Sequence, residues 1–386
     1  MRSEATIAFI RQHADADVRQ LALRGTKDPE VDLPYALEQI AGRQTARQKL
    51  PSWAAIDGIV YPPHLSMEQC SSEPTARYKA RLVGTGSSMV DLTGGFGVDF
   101  SFLAQGFSKA VYVERQEQLC EIARENFQLL GLSQAEVVCG DSVDYLQLMN
   151  PVDVIYIDPA RRDSHGGRTY AISNCTPDVL TLRELLLTKA RRVLIKLSPM
   201  LDWRKAVSDL GEQYVREVHI VSVGNECKEL LLLLAEGEGL RLVCVNDDNV
   251  FETTAQTTHI SQIAHPFHYL YEPNASIMKA GCFGEVAERF DVSPLAPNSH
   301  LFASDIPVEG FPGRSFQIDA ITTMNKHELK ETLHGLTQAN ITVRNFPLTV
   351  AELRHRLNLS EGGSTYIFAT TLASGDKRLF VCHKVT

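Results

Sequence analysis

Between residues 87 and 235, short apolar runs alternate with stretches of helical periodicity, and this alternation constrains the fold more than any other feature. Such runs are typical of parallel strands buried on both faces, because crossover helices cover the two faces of a parallel sheet. Five runs predict strands, at Met89–Leu92, Ala110–Glu114, Glu136–Cys139, Val152–Ile157 and Arg192–Leu197. Helices are predicted among them at Val98–Gln105, Gln116–Leu130 and Pro177–Ala190. The pattern predicts a doubly wound α/β sheet, whose ligands bind at the carboxyl ends of the strands.

Two further runs, Val218–Val223 and Glu229–Ala235, are separated by the short turn Gly224–Asn225, which predicts an antiparallel hairpin. The fold class is therefore α/β, a Rossmann-like seven-stranded sheet with an N-terminal helical region and a small C-terminal α+β domain. The predicted boundaries are 1–82 for the helical region, 83–245 for the Rossmann-like domain, 246–315 for a linker or small ferredoxin-like subdomain, and 316–386 for the α+β domain.

Capping residues predict the helices of the N-terminal region. Asp15 or Asp17 can cap a helix that ends at Gly25, and Leu33–Lys49 repeats apolar residues at helical spacing before Pro51. Serines followed by Glu73 and Pro74 predict another helix start.

The first predicted strand runs into a glycine turn, Val90-Asp-Leu-Thr-Gly-Gly-Phe-Gly-Val-Asp99. Gly95 and Gly97 allow the backbone to turn sharply and to approach a ligand closely. Asp91 ends the strand and can accept a hydrogen bond from an ammonium group of a cofactor, directly or through water. Thr93 lies in the same turn, so we include it among the candidate cofactor contacts.

Two other nucleotide-binding loops fit this turn less well. A dinucleotide fingerprint, G-x-G-x-x-G, would need glycine at Phe100, and phenylalanine is too large for the helix packing of that fold. A phosphate-binding P-loop is excluded because no Gly-Lys-Ser/Thr follows.

Acidic residues also end the next two predicted strands. Glu114, followed by Arg115, can hold ribose hydroxyls, and Asp141, followed by Ser142, is placed for an adenine amino group. A single strand-end acid is usually a loop residue or a helix cap, but three in register favour a cofactor site.

With these motifs, residues 81–236 resemble the class I S-adenosylmethionine-dependent methyltransferases. The turn, Glu114-Arg115 and the later Asp158-Pro159 look like certain ribosomal-RNA guanine-N2 methyltransferases. The resemblance implies S-adenosylmethionine as cofactor, with contacts at Asp91, Gly95, Gly97, Glu114 and Asp141.

Asp158 and Pro159 close the fourth strand, where amino-methyltransferases carry D/N-P-P-Y/F. The resemblance implies that they accept hydrogen bonds from a target amino group, although Ala160 and Arg161 replace the second proline and the aromatic base stacker. Tyr170 is one candidate stacker.

Uracil-C5 chemistry is disfavoured because Lys196-Leu-Ser-Pro-Met200 lacks the required cysteine. The remaining mechanism is direct in-line transfer of the methyl group. In the alternative interpretation, Asp158 has no catalytic role and only caps the next segment.

Basic residues cluster around the presumed active face and suit a polyanion such as RNA. We predict substrate contacts from Arg161, Arg162, Arg168 and Lys196. Arg191 and Arg192 fit surface charges at least as well. The C-terminal domain has a small surplus of basic over acidic residues, and its order of elements is similar to a THUMP-type RNA-binding module.

Composition limits the other possibilities. The net charge of −9 argues against a strong general nucleic-acid binder, and the longest leucine run is too short for a membrane span. The eight cysteines show no C-x-x-C spacing, so we predict no metal site and a reduced, cytoplasmic compartment.

The sequence thus predicts a methyltransferase that acts on a nitrogen of a ribosomal- or transfer-RNA base. Two alternatives stay open: a protein or small-molecule methyltransferase, and an inactive RNA-binding scaffold.

Overall fold

The computed structural model describes residues 3–161, 172–254 and 267–385. The chain divides into two compact units. The first comprises residues 1–218 and 228–240, and the second comprises residues 219–227 and 241–386.

The first unit begins with six helices. They are α1 (Glu4–Gln12), α2 (Val18–Arg24), α3 (Leu33–Lys49), α4 (Pro51–Ala54), α5 (His64–Gln69) and α6 (Glu73–Val83). Asp17 caps α2, Gly25 ends it, and α3 has the predicted bounds. The start of α6 is also confirmed, with Ser72 at the N-cap and Pro74 in the first turn. These boundaries were readable because each depends on a local capping residue or a proline.

The predicted strands of the Rossmann-like sheet are confirmed, each within a few residues. They are β1 (Gly86–Asp91), β2 (Phe107–Glu114), β3 (Ala135–Cys139), β4 (Val152–Ile157), β7 (Ala190–Leu197), β8 (Val215–Val223) and β9 (Glu226–Ala235). Two short strands, β5 (Ala160–Arg161) and β6 (Cys175–Thr176), form a separate antiparallel pair. Seven strands of the large sheet follow the order β8-β9-β7-β4-β1-β2-β3.

The pairing directions agree with the prediction. β1, β2, β3, β4 and β7 pair in parallel, whereas β7 and β9 are antiparallel. Gly224 and Asn225 both have positive φ, at 57° and 62°, as a two-residue type I′ hairpin turn requires.

Among the described residues, five α-helices lie between or after these strands: α7 (Val98–Leu103), α8 (Glu117–Leu129), α9 (Ser142–Leu148), α10 (Val179–Lys189) and α11 (Trp203–Leu210). A 3₁₀ turn follows α7 at Ala104–Gly106, and another lies at Ile172–Asn174. The predictions omitted α9 and α11, which have seven and eight residues. Both begin at a capping aspartate, Asp141 and Asp202.

The N-terminal helices share a hydrophobic core with the glycine turn and with α7 and α8. Trp53 and Phe96 are buried in this core, and their ring centroids lie 5.0 Å apart. Asn126 of α8 accepts from the backbone N–H of Val60 and donates to its carbonyl, each at 2.8 Å. The helical region is therefore part of the support of the first strand–turn–helix segment.

The second unit carries an α+β arrangement. Its strands are β10 (Arg241–Asn246), β11 (Asn249–Thr253), β12 (Tyr269–Pro273), β13 (Ser293–Pro294), β14 (Phe302–Ser304), β15 (Gly313–Thr322), β16 (Asn340–Arg344), β17 (Thr365–Thr371) and β18 (Lys377–Lys384). Its helices are α12 (Ala275–Ala280), α13 (Phe283–Phe290), α14 (Lys326–Thr332) and α15 (Val350–Leu357).

Seven of these strands form one sheet in the order β13-β14-β12-β15-β18-β17-β16. The predicted order from residue 316 onward is confirmed, whereas the short elements between residues 267 and 304 were hidden by a Pro-, Gly- and Asn-rich sequence. No helix of the described residues is long and apolar enough to cross a membrane. Those residues also hold no group of three potential metal ligands.

Candidate active site

The predicted acids lie at the carboxyl edge of the parallel strands. Asp91 ends β1, Glu114 ends β2, and Asp158 directly follows β4. Because β1 pairs in parallel with both β2 and β4, these strand ends share one edge of the sheet.

Backbone hydrogen bonds hold the glycine turn between these acids. Thr93 N–H donates to Asp91 Oδ1 at 2.9 Å, and Gly95 N–H donates to Glu114 Oε2 at 2.9 Å. Gly95 and Gly97 have φ of 53° and 84°, a region that favours glycine. The two predicted glycines are therefore required by backbone geometry.

A third glycine, Gly94, was not singled out from the sequence. A Cβ on Gly94 would lie 2.1 Å from the ring of Tyr112, which is fully buried and whose hydroxyl donates to the Gly95 carbonyl. Phe100 is also fully buried, with ring centroids 5.6 Å from Tyr112 and 4.8 Å from Phe127. The aromatic packing under the turn thus differs from the glycine-lined packing of a dinucleotide fold.

We expect Gly94→Ala to lower the free energy of unfolding by about 1–3 kcal/mol, because the buried Tyr112 ring leaves no room for the added methyl group. Urea unfolding would measure the change. Gly140→Ala is the matched control, since a Cβ there meets nothing within 4 Å. Equal stability of both variants would contradict the assignment of Gly94.

Asp91 is completely buried beneath the turn. Its Oδ2 atom has no hydrogen-bond partner among the residues that the structure describes. Burial raises the pKa of Asp91 well above its usual range, although the hydrogen bond from Thr93 lowers it. The nearby carboxylates of Asp99, Asp158 and Glu114 raise the pKa further. A cationic ligand at Oδ2 would offset the desolvation of this carboxylate.

The remaining predicted cofactor residues lie at the ends of β2 and β3. Both oxygens of Glu114 accept backbone N–H groups, from Gly95 and from Gln116. Arg115 is exposed, Asp141 caps α9 through the N–H groups of Val143 and Asp144, and Ser142 is the first residue of α9. Their contact with a cofactor stays a prediction.

The predicted catalytic residue Asp158 is held on two sides. Its backbone N–H donates to Thr93 Oγ1 at 2.6 Å, and Lys196 Nζ lies 2.5 Å from Asp158 Oδ2. Pro159 is buried. Lys196 was predicted as part of a basic rim, but only 13% of its side chain is exposed and its ammonium pairs with Asp158.

Beneath this pair lies an ionic cluster that the sequence did not reveal. The ammonium of Lys79 is fully buried, 2.6 Å from Glu229 and 3.1 Å from Asp99. Ser71 and Tyr156 donate to Asp99 Oδ2, each at 2.7 Å. Burial would raise the pKa of Asp99, but the ammonium groups of Lys79 and Lys196 lower it overall. Ser71 precedes α6, and the other residues lie on α6, α7, β4, β7 and β9, so no motif joins them.

Of the three arginines predicted to contact the substrate, only the backbone of Arg161 lies in the described part of the chain. The backbone of Arg161 lies in β5, paired with Cys175 of β6. The side chain of Arg161 lies outside the described part of the chain, as do Arg162, Arg168 and Tyr170. Substrate contacts from the arginines stay a prediction.

Two family models match the second unit in adjacent stretches. Residues 269–312 match a ferredoxin-like domain. Residues 313–384 match a THUMP-like domain, which confirms the predicted C-terminal module. No curated protein matches the chain.

Among solved structures, a candidate methyltransferase from Porphyromonas gingivalis W83 is 34% identical, covers 100% of both chains and superposes with a TM-score of 0.89. An rRNA methylase from Streptococcus thermophilus is 19% identical over 42% of this chain and 95% of its own, with a TM-score of 0.31. A candidate methyltransferase from Streptococcus mutans, solved with S-adenosylhomocysteine, is 18% identical over the same shares, also with a TM-score of 0.31. By its full-length similarity to the Porphyromonas protein, this chain belongs to that protein's methyltransferase family and carries a class I Rossmann-like fold with a THUMP-like C-terminus.

Proposed function

We propose that this chain transfers a methyl group from S-adenosylmethionine to a nitrogen of a ribosomal- or transfer-RNA base. The observation that carries the proposal is the buried Asp91, whose Oδ2 lacks a partner among the described residues at the edge where Glu114 holds the glycine turn.

The residues at this edge fit the charge of S-adenosylmethionine. Its ammonium and sulfonium groups are cationic, and Asp91, Glu114 and Asp158 provide a negative environment for them. A dinucleotide would instead bring an anionic pyrophosphate toward these carboxylates. The residues that would hold the cofactor are Asp91, Thr93, Gly95, Gly97, Glu114, Arg115, Asp141 and Ser142. The bound cofactor would supply an electrophilic methyl group on sulfur.

Asp158 and Pro159 are the residues proposed to receive the target nitrogen. Asp158 follows β4 at the same edge, and its carboxylate can accept a hydrogen bond from that nitrogen. Placement of the nitrogen in line with the methyl group would then supply most of the rate. The aromatic stacker of related amino-methyltransferases is absent from the positions that follow Pro159, where this chain has Ala160 and Arg161.

The RNA assignment is supported by the THUMP-like C-terminus, since THUMP-type modules bind RNA, and by the basic residues predicted at the active face. A protein or small-molecule methyltransferase with this fold would bind the cofactor but transfer nothing to RNA. An inactive scaffold would bind RNA without turnover.

We expect S-adenosylhomocysteine to bind with a micromolar Kd, equivalent to about 8 kcal/mol, and Asp91→Ala to weaken binding at least about tenfold. The affinity of the wild type should rise with pH, because burial raises the pKa of Asp91 and only the ionised carboxylate carries the negative charge that pairs with an ammonium group. Calorimetric titration at several pH values measures both effects.

Asp91→Asn is the matched control, since it keeps the shape of the side chain and removes its titration. A folded wild-type protein without affinity for S-adenosylhomocysteine would rule out the cofactor assignment. If binding is present, transfer of a tritiated methyl group to total RNA from cells lacking the gene separates the RNA methyltransferase from its alternatives.

A further inference from the structure

Lys196 is placed opposite Asp158 by the register of the sheet. Ile195 of β7 pairs with Ile157 of β4, so the next residues of the two parallel strands emerge together at the carboxyl edge. The Nζ of Lys196 lies 2.5 Å from Asp158 Oδ2. Backbone pairing, and not a chance surface contact, therefore sets this ion pair.

The surroundings of Lys196 keep its charge. Burial alone would lower the pKa of Lys196, but the nearby carboxylates of Asp158, Asp99 and Glu229 raise it above its usual range. Asp99 and Glu229 are themselves held by Lys79. The ammonium of Lys196 is thus a permanent cation at physiological pH.

Asp158 has little freedom under these constraints. Thr93 accepts from its backbone N–H at 2.6 Å, and within the described part of the chain the hydrogen bonds to its carboxylate engage Oδ2 alone. The side chain remains 36% exposed. An ionised carboxylate has acceptors only, so a nitrogen that binds it must bring a hydrogen.

We propose that Lys196 is a positioning residue, which holds Asp158 as an oriented, charged acceptor, and that the methylated nitrogen is therefore one that bears a hydrogen. This inference rests on the proposed function. The substrate class is then an exocyclic amine or a ring N–H. It is not a ring nitrogen without a hydrogen, such as N7 of guanine. When the nitrogen–carbon bond forms, the sulfur–carbon electron pair stays on sulfur, and the nitrogen loses its proton through Asp158 to solvent.

The test compares Lys196→Met and Lys196→Arg with Lys205→Met. Lys205 also pairs with an aspartate, Asp209 at 3.0 Å, but its side chain is 65% exposed on α11. Lys205→Met therefore controls for the loss of one positive charge. The assay uses tritiated S-adenosylmethionine and total RNA from cells lacking the gene. Calorimetric binding of S-adenosylhomocysteine is measured on each variant.

We expect Lys196→Met to lower kcat/KM for RNA about 100-fold, the order of effect of a positioned proton acceptor, through kcat more than through KM. Lys196→Arg should recover part of the activity. The Kd for S-adenosylhomocysteine should stay within about threefold of wild type in all variants, because none of them changes Asp91 or Glu114. Mass spectrometry of digested RNA should identify a product methylated at an amino or N–H nitrogen.

Three results would overturn the inference while leaving the proposed function intact. The first is RNA methylation by Lys196→Met at the wild-type rate, and the second is 7-methylguanosine as the product. Loss of S-adenosylhomocysteine binding in Lys196→Met alone would also overturn it, since Lys196 would then serve the cofactor. An absence of transfer by the wild type would instead refute the proposed function.

Discussion

Replacing Asp158 with alanine should lower methyl transfer to RNA by about 10²–10⁴-fold, the range typical of a positioned acid–base group. The Kd for S-adenosylhomocysteine should change much less than the rate, because the side chain of Asp158 pairs with Lys196, whereas Asp91 and Glu114 hold the glycine turn. The physical reason is the loss of the one carboxylate that Thr93 and Lys196 hold in place at the end of β4. Initial rates over a range of RNA concentrations, with calorimetry on the same preparations, measure both quantities.

Asp158→Asn is the informative companion. It preserves the shape of the side chain but removes the charge and one acceptor oxygen, so we expect activity between that of Asp158→Ala and wild type. If Asp158→Ala methylates RNA at an undiminished rate, Asp158 is only the cap of the segment that follows β4.

The second large effect concerns stability. Lys79→Met should lower the free energy of unfolding by about 3–5 kcal/mol, the range for removal of one partner from a buried ion pair. Lys79 is fully buried, and its loss leaves Glu229 and Asp99 in the core without their nearest cation. Urea unfolding monitored by tryptophan fluorescence would measure the change, and Trp53 lies in the same unit.

Lys109→Met is the surface control, since Lys109 is 67% exposed and lies 3.8 Å from Glu136. We expect its effect to stay below about 1 kcal/mol. The double variant Lys79→Met with Glu229→Gln should recover part of the loss, because it removes one of the two stranded carboxylates. A loss below about 1 kcal/mol in Lys79→Met would mean that water or rearrangement compensates the cluster.

The pH dependence of this loss follows from Asp99. Its pKa is lowered in the folded protein, so its contribution to stability is present above the unfolded value and is lost as pH falls through the folded value. The difference between wild type and Lys79→Met should therefore shrink in acid.

The buried cluster also assigns a role to the N-terminal helices, which the sequence left open. Lys79 belongs to α6, and its partners belong to α7 and β9. Trp53 packs on Phe96 between the two predicted glycines. The helical region therefore supports the glycine turn and the residues beneath the candidate active site, although its sequence shows no motif.

Local signals in the sequence determined the parallel strands, the closing hairpin and the strand-end acids. An apolar run is readable as a buried strand, and an acid that follows it must lie at the carboxyl edge. The glycine turn was readable because Gly95 and Gly97 need a backbone conformation that few other residues adopt. Two short helices, α9 and α11, were missed although each begins at a capping aspartate, and Asp141 was interpreted as a cofactor contact and not as a helix cap.

The tertiary structure alone decided the partners of the charged residues. Lys79 and Glu229 are 150 positions apart, and Lys196 and Asp158 are 38 apart, so neither pair leaves a spacing to recognise. Lys196 resembled its neighbours Arg191 and Arg192 in sequence, yet alternation along β7 turns it toward Asp158 while Arg191 is exposed. From sequence alone, a charged side chain is predicted to be exposed, because burial of a charge is unfavourable without a partner. Only the tertiary structure shows which charged residues have such a partner.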